Sequence, residues 1–403
     1  MCCMATSRIF IFSPQDPTYA TDGGKQALYH SVSHLAQKYS LTVAYPSIFL
    51  SPPRLDHPHL KDVQWLPLPL DTRDKALDLL RNIGSQIPFK MQKYRNSSSD
   101  QMILSTLEKE KFDFFVLLHA HMGVYLPLLK KFKKPIYLIE YNLEYEIVFQ
   151  FFRKTQSILK KVISFWQARK TLTFEQDLWK KTDQNFFISY QDFKSANTII
   201  PGKNILAYPM FPSPEKIPKI STSTQSDFLW MGSLKSLQNQ HNLIKFLDDI
   251  WLKFHHSFPK ARLFITGNDE KTFNEFIQRP YPGVVNLGFL ESLDEILSTG
   301  PIVLSPTYFG SGVRYKILHA LSLGLIVFCT KEDEDTIHYF KDRENLIVFK
   351  DSLSFIEKYR TLMNSEELQI FLRANALKLM NGPLSPESFL LNFPHMNPDI
   401  PSL

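Results

Sequence analysis

The chain has 403 residues and a formal net charge of +6, and 44% of its residues are hydrophobic. At roughly 150 residues per domain, this length predicts two domains. Its 33 phenylalanines argue against a long disordered chain. Cys2, Cys3 and Cys329 are too few for a disulfide framework, which favours a reducing, cytoplasmic compartment. Every apolar run is too short to cross a bilayer, so any membrane contact is expected to be peripheral.

The first 210 residues predict one doubly wound α/β domain. Residues 8–13 predict a buried strand, a loop holds Gly23 and Gly24, and residues 26–39 predict a helix before a strand at 41–45. This strand, helix, strand order is typical of a parallel sheet. Further short apolar strands are predicted at residues 113–119, 135–140, 185–189 and 204–208.

The same alternation of predicted strands and helices indicates a second α/β domain over residues 227–380. Four prolines and a serine- and threonine-rich run precede it, which favours an interdomain linker at residues 211–226. Five further prolines mark residues 381–403 as a carboxy-terminal tail. Because ligands of open parallel sheets bind beyond the carboxyl ends of the strands, two such domains predict a ligand cleft between them.

One glycine turn combines the features of an anion site. A predicted strand at residues 302–305 is followed by Gly-Ser-Gly at 310–312, and a helix is predicted from Tyr315. Small residues let a ligand approach the backbone, and the first N–H groups of a helix point at that space. Arg314 and Lys316 add positive charge, as a pyrophosphate site requires. On its own, the turn fits a tight connection with two surface cations equally well.

The order of residues around this turn resembles the nucleotide-sugar-binding segment of the group 1 retaining glycosyltransferases. The branch in question carries Gly-Ser-Gly, a hydrophobic residue, Arg-x-Lys-Ile-Leu-Glu-Ala and a later Gly. The matching residues are Gly310, Ser311, Gly312, Val313, Arg314, Lys316, Ile317, Leu318, Ala320 and Gly324. His319 replaces the glutamate that accepts hydrogen bonds from the ribose in the family, and a neutral imidazole accepts only one.

The resemblance extends over roughly residues 8–380 and implies further site residues. On the donor side these are Gly232, Gly267 and, as a phosphate contact, Lys235. On the acceptor side they are Gly23, Gly24, His121, Asn142 and Glu144.

A GT-B fold follows from the resemblance, with two Rossmann-like domains facing across a cleft. It implies transfer of a sugar from a nucleoside diphosphate sugar to a hydroxyl of a glycan or lipid-linked acceptor, with retention, in cell-envelope glycan synthesis. The catalytic residues would be His121, Arg314 and Lys316. The family stabilises the departing diphosphate with protein cations, so no metal and no other cofactor are expected.

Four other functions compete with this one. A degenerate GT-B protein that only binds glycans or protein partners is suggested by His319 and by Tyr141, which replaces a family histidine. A sugar-nucleotide 2-epimerase would bring more carboxylates and histidines than the sequence offers. A dehydrogenase is less favoured still, because no Gly-x-Gly-x-x-Gly opens the first domain, and nucleic-acid binding is disfavoured because no zinc-finger or RNP motif occurs.

The histidine pair His119 and His121 and the basic stretch at residues 153–181 can each be explained by structure alone or by a function. His119 and His121 follow a predicted strand, where histidines often bond to neighbouring loops, and no third zinc ligand is evident beside them. Residues 153–181 hold many lysines and arginines between apolar residues. Such a stretch fits an anionic membrane surface at the inner face of the membrane, or a helix with a solvated cationic face.

Overall fold

The computed structural model describes residues 7–18, 23–48, 60–74, 76–208, 217, 220, 227–290, 293, 296–297, 299–308, 312–391 and 393. The chain forms two compact units, Met1–Met210 together with Phe389–Leu403, and Phe211–Ser388. None of the helices in the described part of the chain combines the length and the apolar character needed to cross a membrane.

The amino-terminal unit is built on seven parallel strands. They are β1 (Arg8–Phe12), β2 (Ser40–Pro46), β3 (Gln64–Leu68), β4 (Phe114–Leu118), β5 (Ile136–Glu140), β6 (Gln184–Phe187) and β7 (Asn204–Leu206). Their order in the sheet is β3-β2-β1-β4-β5-β6-β7. The order reverses between β1 and β4, and parallel α/β sheets bind ligands beyond the carboxyl ends of the strands at such a point.

Helices cover this sheet. They are α1 (Gly23–Ala36), α2 (Ala76–Arg81), α3 (Phe89–Gln92), α4 (Ser97–Lys109), α5 (Leu126–Leu129), α6 (Glu144–Lys154), α7 (Ile158–Lys181) and α8 (Tyr190–Ile199), with 3-10 turns at Ala120–Tyr125 and Lys130–Phe132. The loop predicted at Gly23 and Gly24 is wrong, because these glycines form the exposed first turn of α1. The basic stretch at 153–181 is also interrupted, since α6 ends at Lys154 and α7 begins at Ile158.

The carboxy-terminal unit is built on a six-stranded parallel sheet. Its strands are β8 (Phe228–Met231), β9 (Leu263–Thr266), β10 (Val284–Gly288), β11 (Ile302–Ser305), β12 (Val327–Cys329) and β13 (Ile347–Val348). They are ordered β10-β9-β8-β11-β12-β13, so the order reverses between β8 and β11.

Helices cover the second sheet as well. They are α9 (Leu237–Phe246), α10 (Leu252–Ser257), α11 (Glu270–Phe276), α12 (Tyr315–Ser322), α13 (Lys331–Glu334), α14 (Ser352–Met363) and α15 (Glu366–Met380). A last helix, α16 (Pro386–Leu391), spans the boundary at Ser388 and Phe389, and its Phe389 ring lies 6.2 Å from Phe186 of the first sheet. A π-helical segment, Leu247–Trp251, joins α9 to α10, so the helix predicted at 239–258 runs through without a break. Beyond α16, Phe393 packs its ring 5.1 Å from Phe186 of the first sheet.

An aromatic cluster around Phe228 fixes the position of β8. Phe228 is fully buried. Five aromatic rings lie within 5.9 Å of its ring centroid, and they belong to Trp251, Phe254, Phe328, Phe355 and Tyr359. Three of the five meet it edge-on, a favoured geometry for aromatic pairs. Because β8 carries Trp230 two residues later, this cluster also fixes one wall of the site described below.

Replacing Phe228 with alanine should destabilise the carboxy-terminal unit by about 3–5 kcal/mol, the usual loss for a buried phenylalanine that leaves a cavity. Urea unfolding monitored by circular dichroism measures this change. Phe289, which is 69% exposed, provides the matched control, and Phe289→Ala should leave the unfolding midpoint nearly unchanged. Equal midpoints for the two variants would contradict this account of the core.

Candidate functional site

A lysine is held over a tryptophan at the carboxyl ends of β8 and β11. The ammonium Nζ of Lys316, in the first turn of α12, lies 4.4 Å from the ring centroid of buried Trp230. Among the residues that the structure describes, no carboxylate lies within ion-pair distance of this nitrogen. Burial, and secondarily the charge of Arg314, lowers the pKa of Lys316 to about 7. The side chain of Lys316 is half-buried, so its ammonium is only partly hydrated, and the charge of Asp333 opposes the lowering of its pKa without forming an ion pair with it.

Arg314 is held in place by a buried acid. Its Nε donates to the Oγ1 of Thr307 at 3.2 Å and lies 3.5 Å from the Oδ1 of Asp333. Thr307 in turn donates to the same oxygen of Asp333 at 2.7 Å. Burial raises the pKa of Asp333 to about 6, although the charge of Arg314 opposes the shift. Asp333 was not predicted because it lies in an acidic run, residues 332–335, that resembles an exposed turn.

The predicted glycine turn is described only in part. Gly310 and Ser311 lie outside the described residues. Gly312 is buried and has a φ of 78°, a conformation that favours glycine. The half-buried residues Val313 and Arg314 follow it, and Arg314, at the N-cap position of α12, makes no side-chain capping bond. The start of α12 therefore keeps the character of an anion site.

His319 lies half-buried one turn after Lys316 in α12, three residues further along the helix. Residues three apart project from the same face of a helix, so the two side chains lie one above the other. The replacement of the family's glutamate therefore adds a second basic side chain to the face that carries Lys316.

Gly232 and Gly267 have a structural reason to be glycine. Their φ angles are 154° and 98°. A Cβ on Gly267 would lie 2.9 Å from the carbonyl oxygen of Gly232. Asn268 joins the two turns, because its Nδ2 donates to that oxygen at 2.8 Å and its Oδ1 accepts from the amide of Leu234 at 2.5 Å. Lys235 follows in the same turn with an exposed side chain.

In the amino-terminal unit, the segments after β4 and β5 bring together three of the predicted acceptor-side residues. The Nε2 of buried His119 lies 3.3 Å from the Oε1 of Glu144 and 3.4 Å from the Oδ1 of Asn142. Asn142 donates from its Nδ2 to the same Oε1 at 2.7 Å. The Nδ1 of His121 lies 2.7 Å from the Nδ1 of His119, and its Nε2 lies 3.9 Å from the Oε2 of Glu144. His119, which was not among the predicted site residues, connects His121 to Asn142 and Glu144.

Buried acids behind this cluster hold it in place. Glu175 accepts the backbone N–H groups of the first two residues of α6, at 2.9 and 3.0 Å, and so positions Glu144. Glu140, at the end of β5, accepts the Nε1–H of Trp179 and the backbone N–H of Ala120, both at 3.1 Å. Burial raises the pKa of Glu140 to about 6.

Tyr141 connects α1 to the same cluster. Its hydroxyl lies 2.6 Å from the Oγ of Ser31, and its ring stacks on His119 at 6.4 Å. Gly23 and Gly24 open this helix two turns before Ser31. The tyrosine that replaces a family histidine therefore has a packing role of its own.

Charge in the cluster is unevenly distributed. Burial lowers the pKa of His119, but the hydrogen bond that it donates to Glu144 and the charge of that carboxylate outweigh burial and raise the pKa above its ordinary value. Burial lowers the pKa of His121 to about 3. Burial alone would raise the pKa of Glu144, yet the two histidines lower it to about 2. At neutral pH Glu144 is thus charged, His121 is neutral and His119 is the more basic imidazole.

His119, His121 and Glu144 also supply the third group that the sequence lacked for a metal ion. One donor atom from each lies within 4.8 Å of the others. However, two neutral imidazoles bound through Nε2 would each carry an N–H at Nδ1, and these atoms are only 2.7 Å apart. Coordination of one ion through both Nε2 nitrogens therefore conflicts with the observed contact between the two Nδ1 atoms.

Comparison with known proteins supports the nature of the carboxy-terminal unit. Residues 225–365 match the family model of the glycosyl transferases group 1. This unit therefore carries a group 1 glycosyltransferase domain, and the protein is a glycosyltransferase. No curated protein matches the chain by sequence.

Solved structures share the fold of the chain at low sequence identity. Sucrose-phosphate synthase from Thermosynechococcus elongatus has a TM-score of 0.70 and 12% identity, covering 96% of each chain. Alr3699/HepE from Anabaena, in complex with UDP-glucose, has a TM-score of 0.63 and 10% identity over 95% of this chain and 96% of that one. WaaG, a glycosyltransferase involved in lipopolysaccharide biosynthesis, has a TM-score of 0.62 and 15% identity over 94% and 98%. The predicted GT-B α/β fold is confirmed.

Replacing Gly267 with alanine should destabilise the protein by about 1–3 kcal/mol, because the new Cβ meets the Gly232 carbonyl and the φ of 98° strains it. Thermal unfolding measures the loss. Gly84→Ala is the control, since a Cβ there meets nothing within 4 Å. A Gly267 variant as stable as the Gly84 variant would show that the close approach of the two turns is unimportant.

Proposed function

We propose that the protein transfers a sugar from a nucleoside diphosphate sugar to a hydroxyl acceptor with retention of configuration. The observation that carries the proposal is the ammonium of Lys316, held over Trp230 without a carboxylate in reach among the described residues. A half-buried cation has lost part of its hydration and is stabilised when an anion joins it. A pyrophosphate at the start of α12 supplies that anion.

The donor would bind through its diphosphate to the carboxy-terminal unit. Lys316 and Arg314 neutralise the charge that develops on the leaving diphosphate, so transfer needs no metal ion. Gly312 and Val313 let the diphosphate approach the backbone, and His319 faces the ribose. Uridine is the base to test first, because structures with the same fold include Alr3699/HepE and an α-glucosyltransferase, each in complex with UDP-glucose.

The acceptor would bind to the amino-terminal unit, at the carboxyl ends of β1, β4 and β5. His121, Asn142 and Glu144 offer polar groups there, and the exposed turn at Gly23 and Gly24 lets a sugar approach the backbone of α1. A glycan or lipid-linked acceptor of the cell envelope fits this proposal, in line with the involvement of WaaG in lipopolysaccharide biosynthesis.

Replacing Lys316 with methionine should weaken binding of UDP-glucose at least tenfold, since hydrogen bonds to charged groups contribute about 1.5–3 kcal/mol. Isothermal titration calorimetry measures the affinity, and release of UDP from UDP-, GDP- and ADP-sugars measures turnover. Lys331→Met, on an exposed lysine paired with Glu334, is the matched control and should bind like the unchanged protein.

Three outcomes decide this proposal. Unchanged affinity in the Lys316 variant would remove the observation on which it rests. Nucleotide binding without turnover of any donor would favour the rival hypothesis of a degenerate binding protein. Loss of transfer on adding EDTA would contradict a metal-independent reaction.

We also propose peripheral contact with an anionic membrane surface, on a separate observation. The first turns of α7 expose Ile158, Leu159 and Val162, by 80%, 69% and 64% of their surface. Further along the helix a groove of about 970 Å³ opens, lined by Lys130, Arg169, Lys170 and Lys181 among others. An exposed apolar helix face beside clustered cations is typical of helices that lie on anionic lipid.

The triple change of Ile158, Leu159 and Val162 to serine should abolish co-sedimentation with phosphatidylserine vesicles at low salt, because it removes the apolar anchor. Vesicles of phosphatidylcholine alone should bind neither protein. Ile370→Ser with Phe371→Ser, on residues that are 54% and 49% exposed in α15, is the matched control and should keep binding. If the unchanged protein ignores anionic vesicles, the membrane proposal fails.

A further inference from the structure

His119 and His121 meet through like atoms. Their Nδ1 nitrogens lie 2.7 Å apart, a hydrogen-bond distance with room for one proton. One ring therefore donates this proton from its Nδ1, and the other ring accepts it at an unprotonated Nδ1. A neutral histidine carries a single ring proton, so the state of His119 decides which nitrogen of His121 is protonated.

The surroundings of His119 decide where the shared proton resides. Its Nε2 faces the Oε1 of Glu144 at 3.3 Å and the Oδ1 of Asn142 at 3.4 Å. The Nδ2 of Asn142 is already turned toward Glu144, so both groups that face His119 are acceptors and its Nε2 must carry a proton. Glu144 is a charged carboxylate with little exposure, and a buried charge is stable only beside an opposite one.

An imidazolium on His119 supplies that opposite charge. A doubly protonated His119 donates its Nδ1–H to the Nδ1 of His121. The neutral ring of His121 then keeps its proton on Nε2, the nitrogen on the side of the Oε2 of Glu144.

We propose that Glu144 and His119 are positioning residues that hold His121 in its Nε2–H tautomer, so that it donates a hydrogen bond to an oxygen of the sugar ligand. The identity of that ligand rests on the function proposed above. The backbone supports the assignment, because His119 has a φ of 80° that brings the two ring centroids to 4.5 Å. Such a conformation is uncommon outside glycine and strained sites at which function requires it.

Other charged groups around the pair favour the same distribution. Glu140 lies behind His119 and stabilises a positive charge there. Lys90 and Lys93, in and directly after α3, act on His121 and disfavour a second positive charge. His121 therefore remains the neutral member of the pair.

Nuclear magnetic resonance of the full chain, labelled with ¹⁵N in histidine, tests the tautomer directly. At pH 7.5 long-range ¹H–¹⁵N correlations should show a doubly protonated His119 and a His121 protonated at Nε2 only. Glu144→Gln removes the charge and should shift the proton of His121 to Nδ1, whereas Glu146→Gln, two residues further along the same helix and on a different face, should change nothing.

Two spectra would overturn the proposal. One is a bare Nε2 on His121 in the unchanged protein, which is the alternative in which a neutral His119 accepts the backbone N–H of His121 at 3.5 Å. The other is an unchanged tautomer in Glu144→Gln. Neither spectrum depends on turnover, so failure of the proposed glycosyl transfer leaves this test intact.

Kinetics then separates positioning from folding. With a donor that the protein accepts, Glu144→Gln should lower kcat about 10²-fold, the usual loss when one preorganised donor is removed. The dissociation constant for UDP-glucose should stay the same, and Glu144→Asp should recover part of the rate. A Glu144→Gln variant with full kcat would contradict the role, as would one that loses stability and nucleotide affinity together.

Discussion

The ammonium of Lys316, held over Trp230, is the feature on which the proposed donor site depends. Burial lowers the pKa of Lys316 from its ordinary 10.5 to about 7, so the charged form is disfavoured there. Contact with the indole face returns only about 0.5–2 kcal/mol. Two neighbouring features keep Lys316 over Trp230 without an ion-pair partner. The Phe228 cluster fixes β8, which carries Trp230, and Asp333 pairs with Arg314 and not with Lys316. The site is thus built to gain stability when an anion binds.

The amino-terminal cluster also holds a charge with little exposure to water, but there the protein itself supplies the opposite charge. Its buried charge, on Glu144, is compensated inside the protein by His119 and by the amide of Asn142. A compensated charge has little drive to capture an ionic ligand, but it can hold a neutral side chain in one protonation state. This contrast supports an ionic ligand for the carboxy-terminal unit and a neutral, hydroxyl-bearing ligand for the amino-terminal one.

Local patterns in the sequence predicted much of the fold. Continuous apolar runs gave β1, β4, β5 and β8, since strands buried on both faces need apolar residues at every position. The strand β3 was missed because its sequence, Gln-Trp-Leu-Pro-Leu, contains a proline and lies at the sheet edge, where burial leaves a weaker pattern. The start of α1 was misplaced because Gly23 and Gly24 are poor helix formers that only the folded context holds in a helix.

The candidate site was predictable only where its residues are neighbours in sequence. Arg314 and Lys316 stand in one short motif. Asp333 meets Thr307 across 26 positions, and Glu175 meets Glu144 across 31, so these contacts exist only once the strands are ordered. His119 was passed over for a different reason, because only its backbone turn makes it a partner of His121.

Proton uptake on donor binding tests the central claim most directly. At pH 8 a Lys316 with a pKa of about 7 is mostly neutral, and a bound pyrophosphate raises that pKa again. Titration of UDP-glucose, whose diphosphate does not itself titrate near this pH, in buffers of different ionisation enthalpy should therefore show uptake of close to one proton. The uptake should vanish in Lys316→Met. Binding without proton uptake, or the same uptake in the variant, would contradict the account.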